Sequence, residues 1–130
     1  MTHYLSQAQV EAIHKAQVSR FGGSHGLRDE GALEAAVGRP QVTFGGEDLY
    51  PGVAEKAAAL MHSLVLNHPF VDGNKRVGAH AAIAMLLING YEPLFSPADF
   101  VAIALQTAEG RITAEALAIW FRQRTREDAR

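Results

Sequence analysis

A histidine, an aspartate, a lysine and an arginine stand within nine consecutive residues, His68-Pro-Phe-Val-Asp-Gly-Asn-Lys-Arg76. A neutral imidazole at His68 can take a proton from an incoming hydroxyl, since histidine is the side chain suited to general-base work near neutral pH. Asp72 follows with a carboxylate, and Gly73 lets the backbone approach a ligand closely. Asn74, Lys75 and Arg76 then open a stretch that reads as helix. Cations in a first helical turn sit at the positive end of the macrodipole, which disfavours each by about 0.3 to 1 kcal/mol. Lys75 is also one of only three lysines, with Lys15 and Lys56. A bound anion is the simplest compensation. Backbone N–H groups at a helix start favour phosphate, and lysine and arginine add a point charge and a fork. A carboxylate beside that phosphate is repelled unless a cation intervenes, and magnesium held by one carboxylate plus substrate phosphates is the usual answer. Base, metal carboxylate, turn and anion-binding helix start together describe transfer of a phosphorus-containing group from a nucleotide to a hydroxyl.

Each residue taken singly has a plainer use. Lys75 and Arg76 can snorkel outward, Asp72 can close an Asx-turn, and a lone histidine is more often structural. The combination carries the chemistry. Zinc does not fit, since His62 and His68 lie on different helix faces and the chain has no cysteine. A Walker loop does not fit either, because Gly-Asn-Lys-Arg lacks the preceding strand and long glycine loop.

The elements that must hold this segment are helical. Ser6 and Gln9 form a capping box, and Val10, Ile13 and Phe21 recur behind it until Gly22-Gly23. Asp29 can cap a short helix that Pro40 stops. Pro51 suits a first helical position, with Val53, Ala57, Leu60, Met61 and Leu64 as an apolar stripe ended by Pro69. From about Asn74 to Asn89 the pattern is apolar nearly all round, which predicts a central helix buried on every side. Ser96-Pro97-Ala98-Asp99 opens another helix, and Thr113 the last, with Leu117, Trp120 and Phe121 facing inward. Only Val42-Thr43-Phe44 could form a strand, as part of a short flap. The class is all-α, with about six helices. Within that frame His80, one helical turn after Arg76, either faces the same pocket or, the preferred reading, is a hydrogen-bonded core group. Arg28 and Asp29 either line the pocket or, preferably, form a surface ion pair plus N-cap.

With 130 residues and a 48% hydrophobic composition, one domain spanning residues 1–130 is expected. No run is long enough for a membrane span, and the N-terminus lacks the form of a signal peptide. With no cysteine, these features favour a cytoplasmic protein without a disulfide framework. A net charge of −2 argues against direct nucleic-acid binding. Arg122, Arg124 and Arg126, followed by Glu127 and Asp128, read as a solvated tail.

The nine-residue segment resembles the Fic signature His-x-Phe-x-[Asp/Glu]-[Gly/Ala]-Asn-[Gly/Lys]-Arg, in the lysine form of its death-on-curing (Doc) branch. Gly26-Leu-Arg-Asp-Glu-Gly-Ala-Leu-Glu34, Gly38-Arg-Pro-Gln41, Tyr50-Pro, Lys56-Ala-Ala-Ala-Leu and Asn89-Gly-Tyr91 extend the likeness over roughly residues 26 to 121. The resemblance implies a Fic-type helical bundle that uses ATP with magnesium to modify a protein hydroxyl. In it His68 matches the base, Asp72 the metal carboxylate, and Asn74, Lys75 and Arg76, behind Gly73, the phosphate binders. Phe70 matches the apolar anchor of the loop. Two departures from the AMP-transferring pattern stand out: position 75 is Lys rather than Gly, and Ala79 replaces a second arginine. Doc proteins share both. They are similar to kinases, act on a threonine of translation elongation factor Tu, and are held inactive by an antitoxin of the Phd type. The alternatives are a Fic-type AMP-transferase and a non-catalytic partner-binding domain with a degenerate site.

Overall fold

In the computed structural model, which describes residues 1–128, capping side chains set the helix starts. Ser6 and Gln9 close their capping box on α1 (Gln7–Phe21). Asp29 accepts from the Ala32 N–H to start α2 (Glu30–Gly38), which runs into a 3₁₀ turn (Arg39–Gln41) where Pro40 removes a donor. Ser96 and Thr113 cap α5 (Pro97–Ala108) and α6 (Ala114–Gln123) in the same way. The helix expected to open at Pro51 begins two residues later: α3 covers Val53–Asn67, with Gly52 as its N-cap.

From the loop 68–73 the chain runs back alongside α3 as α4 (Asn74–Ile88). Gly78 permits that close pass. A Cβ there would come within 2.5 Å of Val65 Cγ2 and 3.2 Å of the Met61 carbonyl. Buried Ala57, Leu60, Met61, Leu64 and Val65 of α3 and Val77, Ala81, Ala82, Met85 and Leu86 of α4 form the middle of the core. Leu33, Ile103, Leu117 and Phe121 close it from α2, α5 and α6.

The helix surrounded on most sides is α3, not α4. Leu87 and Ile88 at the end of α4 are exposed, as is His80 on its outer face. An apolar sequence does not guarantee enclosure, since more than half of a folded surface is apolar. Two short antiparallel pairs complete the architecture. Thr43–Phe44 (β1) pairs with Glu47–Asp48 (β2), and Tyr91–Pro93 (β3) pairs with Thr125–Glu127 (β4). The second pair replaces the expected solvated tail. Arg122 pairs with Glu55, Arg124 stacks over Trp120 at 4.8 Å, and Arg126 meets Glu92 at 2.7 Å. No described helix is long and apolar enough to cross a membrane.

Candidate active site

Pro69 ends α3 by forcing a change of course at His68, which adopts φ 47° and ψ 57°. It is the sole non-glycine residue at positive φ among those described. Left-handed backbone costs about 1 to 2 kcal/mol for a residue with a Cβ and persists where neighbours over-determine it. Arg28 is one such neighbour. Its Nε donates to the His68 carbonyl at 2.6 Å and its Nη2 to the Asn67 carbonyl at 2.9 Å. These are the acceptors that a helix end leaves without partners. Arg28 is therefore a clamp on the helix end, and the surface ion pair expected for it with Asp29 does not form; Asp29 is the cap.

The rest of the loop is held from two directions. The Pro69 carbonyl accepts N–H bonds from Arg28 (2.8 Å) and Asp29 (3.0 Å), and the Val71 N–H donates to Gly26 (3.0 Å). Leu27 and Phe70 thereby form an isolated antiparallel bridge. Phe70 is buried against the His14 ring, with centroids 3.9 Å apart and planes 7° from parallel. Asn74 closes the loop from below: its Oδ1 accepts the Phe70 N–H and its Nδ2 donates to the Phe70 carbonyl, both at 3.0 Å. The same Nδ2 lies 3.5 Å from His68 Nδ1, a long contact that leaves the imidazole only loosely held.

Gly73 ends the loop at φ 77° and serves as N-cap of α4 without a capping side chain. The first N–H groups of α4 are left free for a ligand. Asp72 Oδ1 accepts the Gly73 N–H (2.8 Å) and Oδ2 the Ser24 N–H (3.2 Å), so each oxygen keeps a lone pair. Gly23 is required there, since a Cβ would lie 2.8 Å from Asp72 Oδ2. Lys75 and Arg76 are exposed, and among the described residues neither forms an ion pair. Arg76 stacks over Phe21 at 5.0 Å, and Arg20 lies 5.3 Å from the same ring. A cleft of about 570 Å³ gathers Phe21, His68, Asp72, Gly73, Asn74, Lys75 and Arg76.

The structure thus brings the six candidate residues to one place but divides their work. Asn74 is buried with its amide occupied by the loop, so its backbone N–H is what it can offer an anion. His80, expected in the core, stands at the rim of a second groove of about 310 Å³ between α4 and α5, beside Lys75, Arg76, Ala79 and Phe100. Partial burial lowers its pKa below 6.5, and the Arg20 charge lowers it further. His14, Arg20 and Ser24 went unnoticed in the sequence, and Phe21, read as part of the apolar face of α1, is exposed and lines the cleft instead. His14 left a trace, since it falls between Val10 and Val18 at a spacing of four on the buried face of α1. Ser24 acts through its backbone, which side-chain identity cannot reveal.

A helical bundle with an uncapped, cation-flanked helix start opposite a histidine and a carboxylate defines a class, and comparison supplies its family. The model described as the Fic/DOC family matches residues 4–86, and the chain belongs to that family. It is 49% identical to the Toxin Doc of Mycolicibacterium smegmatis over 92 residues, 71% of this chain and 68% of that one. It is 30% identical to the protein kinase doc of Escherichia phage P1 over 120 residues, 92% of this chain and 94% of the other.

Proposed function

We propose that this protein is a Doc-type toxin that transfers the γ-phosphate of ATP to a threonine hydroxyl of a protein, with elongation factor Tu as the target. The observation that carries the reading is the α4 start: no described side chain caps it, and Lys75 and Arg76, without an acidic partner among the described residues, share one cleft with His68 and Asp72. His68 takes the proton of the attacking hydroxyl. That oxygen forms its bond to phosphorus as the bond to the ADP oxygen breaks. Lys75, Arg76 and the α4 N–H groups meet the negative charge on the transferring and departing phosphates. The donor set fits magnesium, because Asp72 keeps a lone pair on each oxygen; when bound there, magnesium offsets phosphate charge.

Kinase chemistry is favoured over AMP transfer by Lys75 in place of glycine and by Ala79, which cannot clamp a phosphate. The protein kinase doc of phage P1 supports the same choice by its name. The partner expected for such a toxin is a Phd-like antitoxin, and the apolar groove between α4 and α5, with Phe100 and Val101 along it, suits an amphipathic helix. The deciding experiment is the intact mass of purified elongation factor Tu after incubation with this protein, ATP and magnesium. A gain of one phosphate is expected. A gain of one AMP would replace the reading with the AMP-transferase, and an unchanged mass would reject elongation factor Tu as the target.

A further inference from the structure

We propose that His14, which lies outside the nine-residue segment, is a positioning residue that sets where the Asp72 carboxylate and the Gly73 turn stand. His14 belongs to α1 and is 4% exposed. Its Nε2 lies 2.7 Å from the Asp72 carbonyl oxygen. A carbonyl only accepts, so Nε2 carries the proton and donates it. The ring face lies flat on Phe70 at 3.9 Å, and its edge passes under Gly73, where a Cβ would sit 3.6 Å from Nε2 and 3.7 Å from Cδ2.

These contacts complete the hold on Asp72. Its carboxylate is fixed by the Ser24 and Gly73 N–H groups, and its carbonyl, at the other end of the residue, by His14. Without the third bond the Asp72-Gly73 peptide keeps only the Gly73 N–H bond to the Asp72 carboxylate, a contact within the same turn that lets the two tilt together. That motion swings the carboxylate and the first free N–H groups of α4 together. The two devices that the proposed function assigns to metal and phosphate then lose their common register. Partners that orient a metal ligand typically matter by about 10- to 100-fold in affinity or activity.

The inference rests on the proposed function, and its test separates the two. His14→Phe keeps the stacked ring and removes the donor. His14→Gln gives up the ring and keeps an N–H that can reach the carbonyl. His14→Asn, polar but too short, takes the place of the phenylalanine variant should that one not fold. Each is measured for melting temperature, for amide hydrogen exchange of residues 70–76, and for single-turnover label transfer against magnesium concentration. His14→Phe is expected to melt near wild type, to exchange faster in residues 70–76 only, and to lose about 10- to 100-fold in transfer, with the magnesium midpoint raised. His14→Gln is expected to recover most of both. Unchanged exchange in residues 70–76 for the donor-less variant overturns the inference, whether or not any label is transferred. So does a glutamine variant as defective as the phenylalanine one. A wild-type protein that transfers no label condemns the functional reading alone, because the exchange readout still decides about His14.

Discussion

Lys56 and Lys75 are the same residue type put to opposite uses at the two ends of the α3–α4 pair. Lys56 is fully buried; its Nζ meets Asp48 Oδ2 at 3.0 Å, donates to the Tyr50 carbonyl and lies 5.9 Å from the Tyr4 ring. One ammonium thereby ties the β1–β2 hairpin and the N-terminal segment to α3. Lys75 has no acidic partner among the described residues and faces a cleft at the opposite end of the fold's central pair. A charge that serves the fold is neutralised within the chain; one that serves a ligand is left unanswered until the ligand comes. The same division separates Asn74, whose amide the loop consumes, from Arg76 beside it.

The strongest way to break this comparison is at the reacting centre. His68→Ala should reduce single-turnover transfer by about 10² to 10⁴ while nucleotide binding persists. A variant keeping more than half the wild-type rate would remove His68 as base. Next comes the lysine pair itself. Lys56→Ala deletes a buried stem and strands its acceptors, and should destabilise by about 2 to 4 kcal/mol in urea unfolding. Lys75→Ala should shift stability by no more than about 0.5 kcal/mol, yet weaken transfer. Equal destabilisation by both would erase the distinction. Arg28→Ala should cost about 1 kcal/mol, because the lost hydrogen bonds are exposed, and slow transfer several-fold by releasing the His68 backbone. Arg28→Lys should restore only part of either, since a point charge cannot span two carbonyls as the fork does. Full recovery by lysine would mean that charge alone, and not the clamp, matters.

Legibility follows the same line. The nine-residue segment could be read because its chemistry is contiguous, and the helix starts because capping residues act within one turn. Ser6, Asp29, Ser96 and Thr113 all cap where the sequence placed them. What escaped notice acts at long range. His14 reaches Asp72 across 58 positions and Arg28 reaches His68 across 40. Nothing in the neighbourhood of either residue announces its partner. The β3–β4 pair escaped for another reason: three residues per strand are too few to establish an alternating pattern. His80 was misplaced because periodicity reports which residues are apolar, and α4 turns one apolar side to solvent at Leu87 and Ile88.

The smallest expected effect concerns that histidine. Burial first, and then the positive charge of Arg20, hold the His80 pKa below 6.5 in the folded protein. The unfolded chain therefore takes up this proton more readily than the folded one. Protonation drives unfolding, so the stability linked to neutral His80 is fully present above pH 6.5 and is lost as pH falls through the folded value. Because His80 is at the surface, solvent screens much of the effect. A melting curve of wild type alone would not isolate it. His80→Gln would, because the other histidines remain in both proteins and cancel in the difference. The two melting temperatures should differ by a constant amount above pH 7 and draw together, or cross, as pH falls below 6.5, with wild type losing more. A pH-independent difference would mean that the Arg20 charge and burial do not act on His80. The contrast between answered and unanswered charges would then end at Arg76 and not reach His80 one turn further along α4.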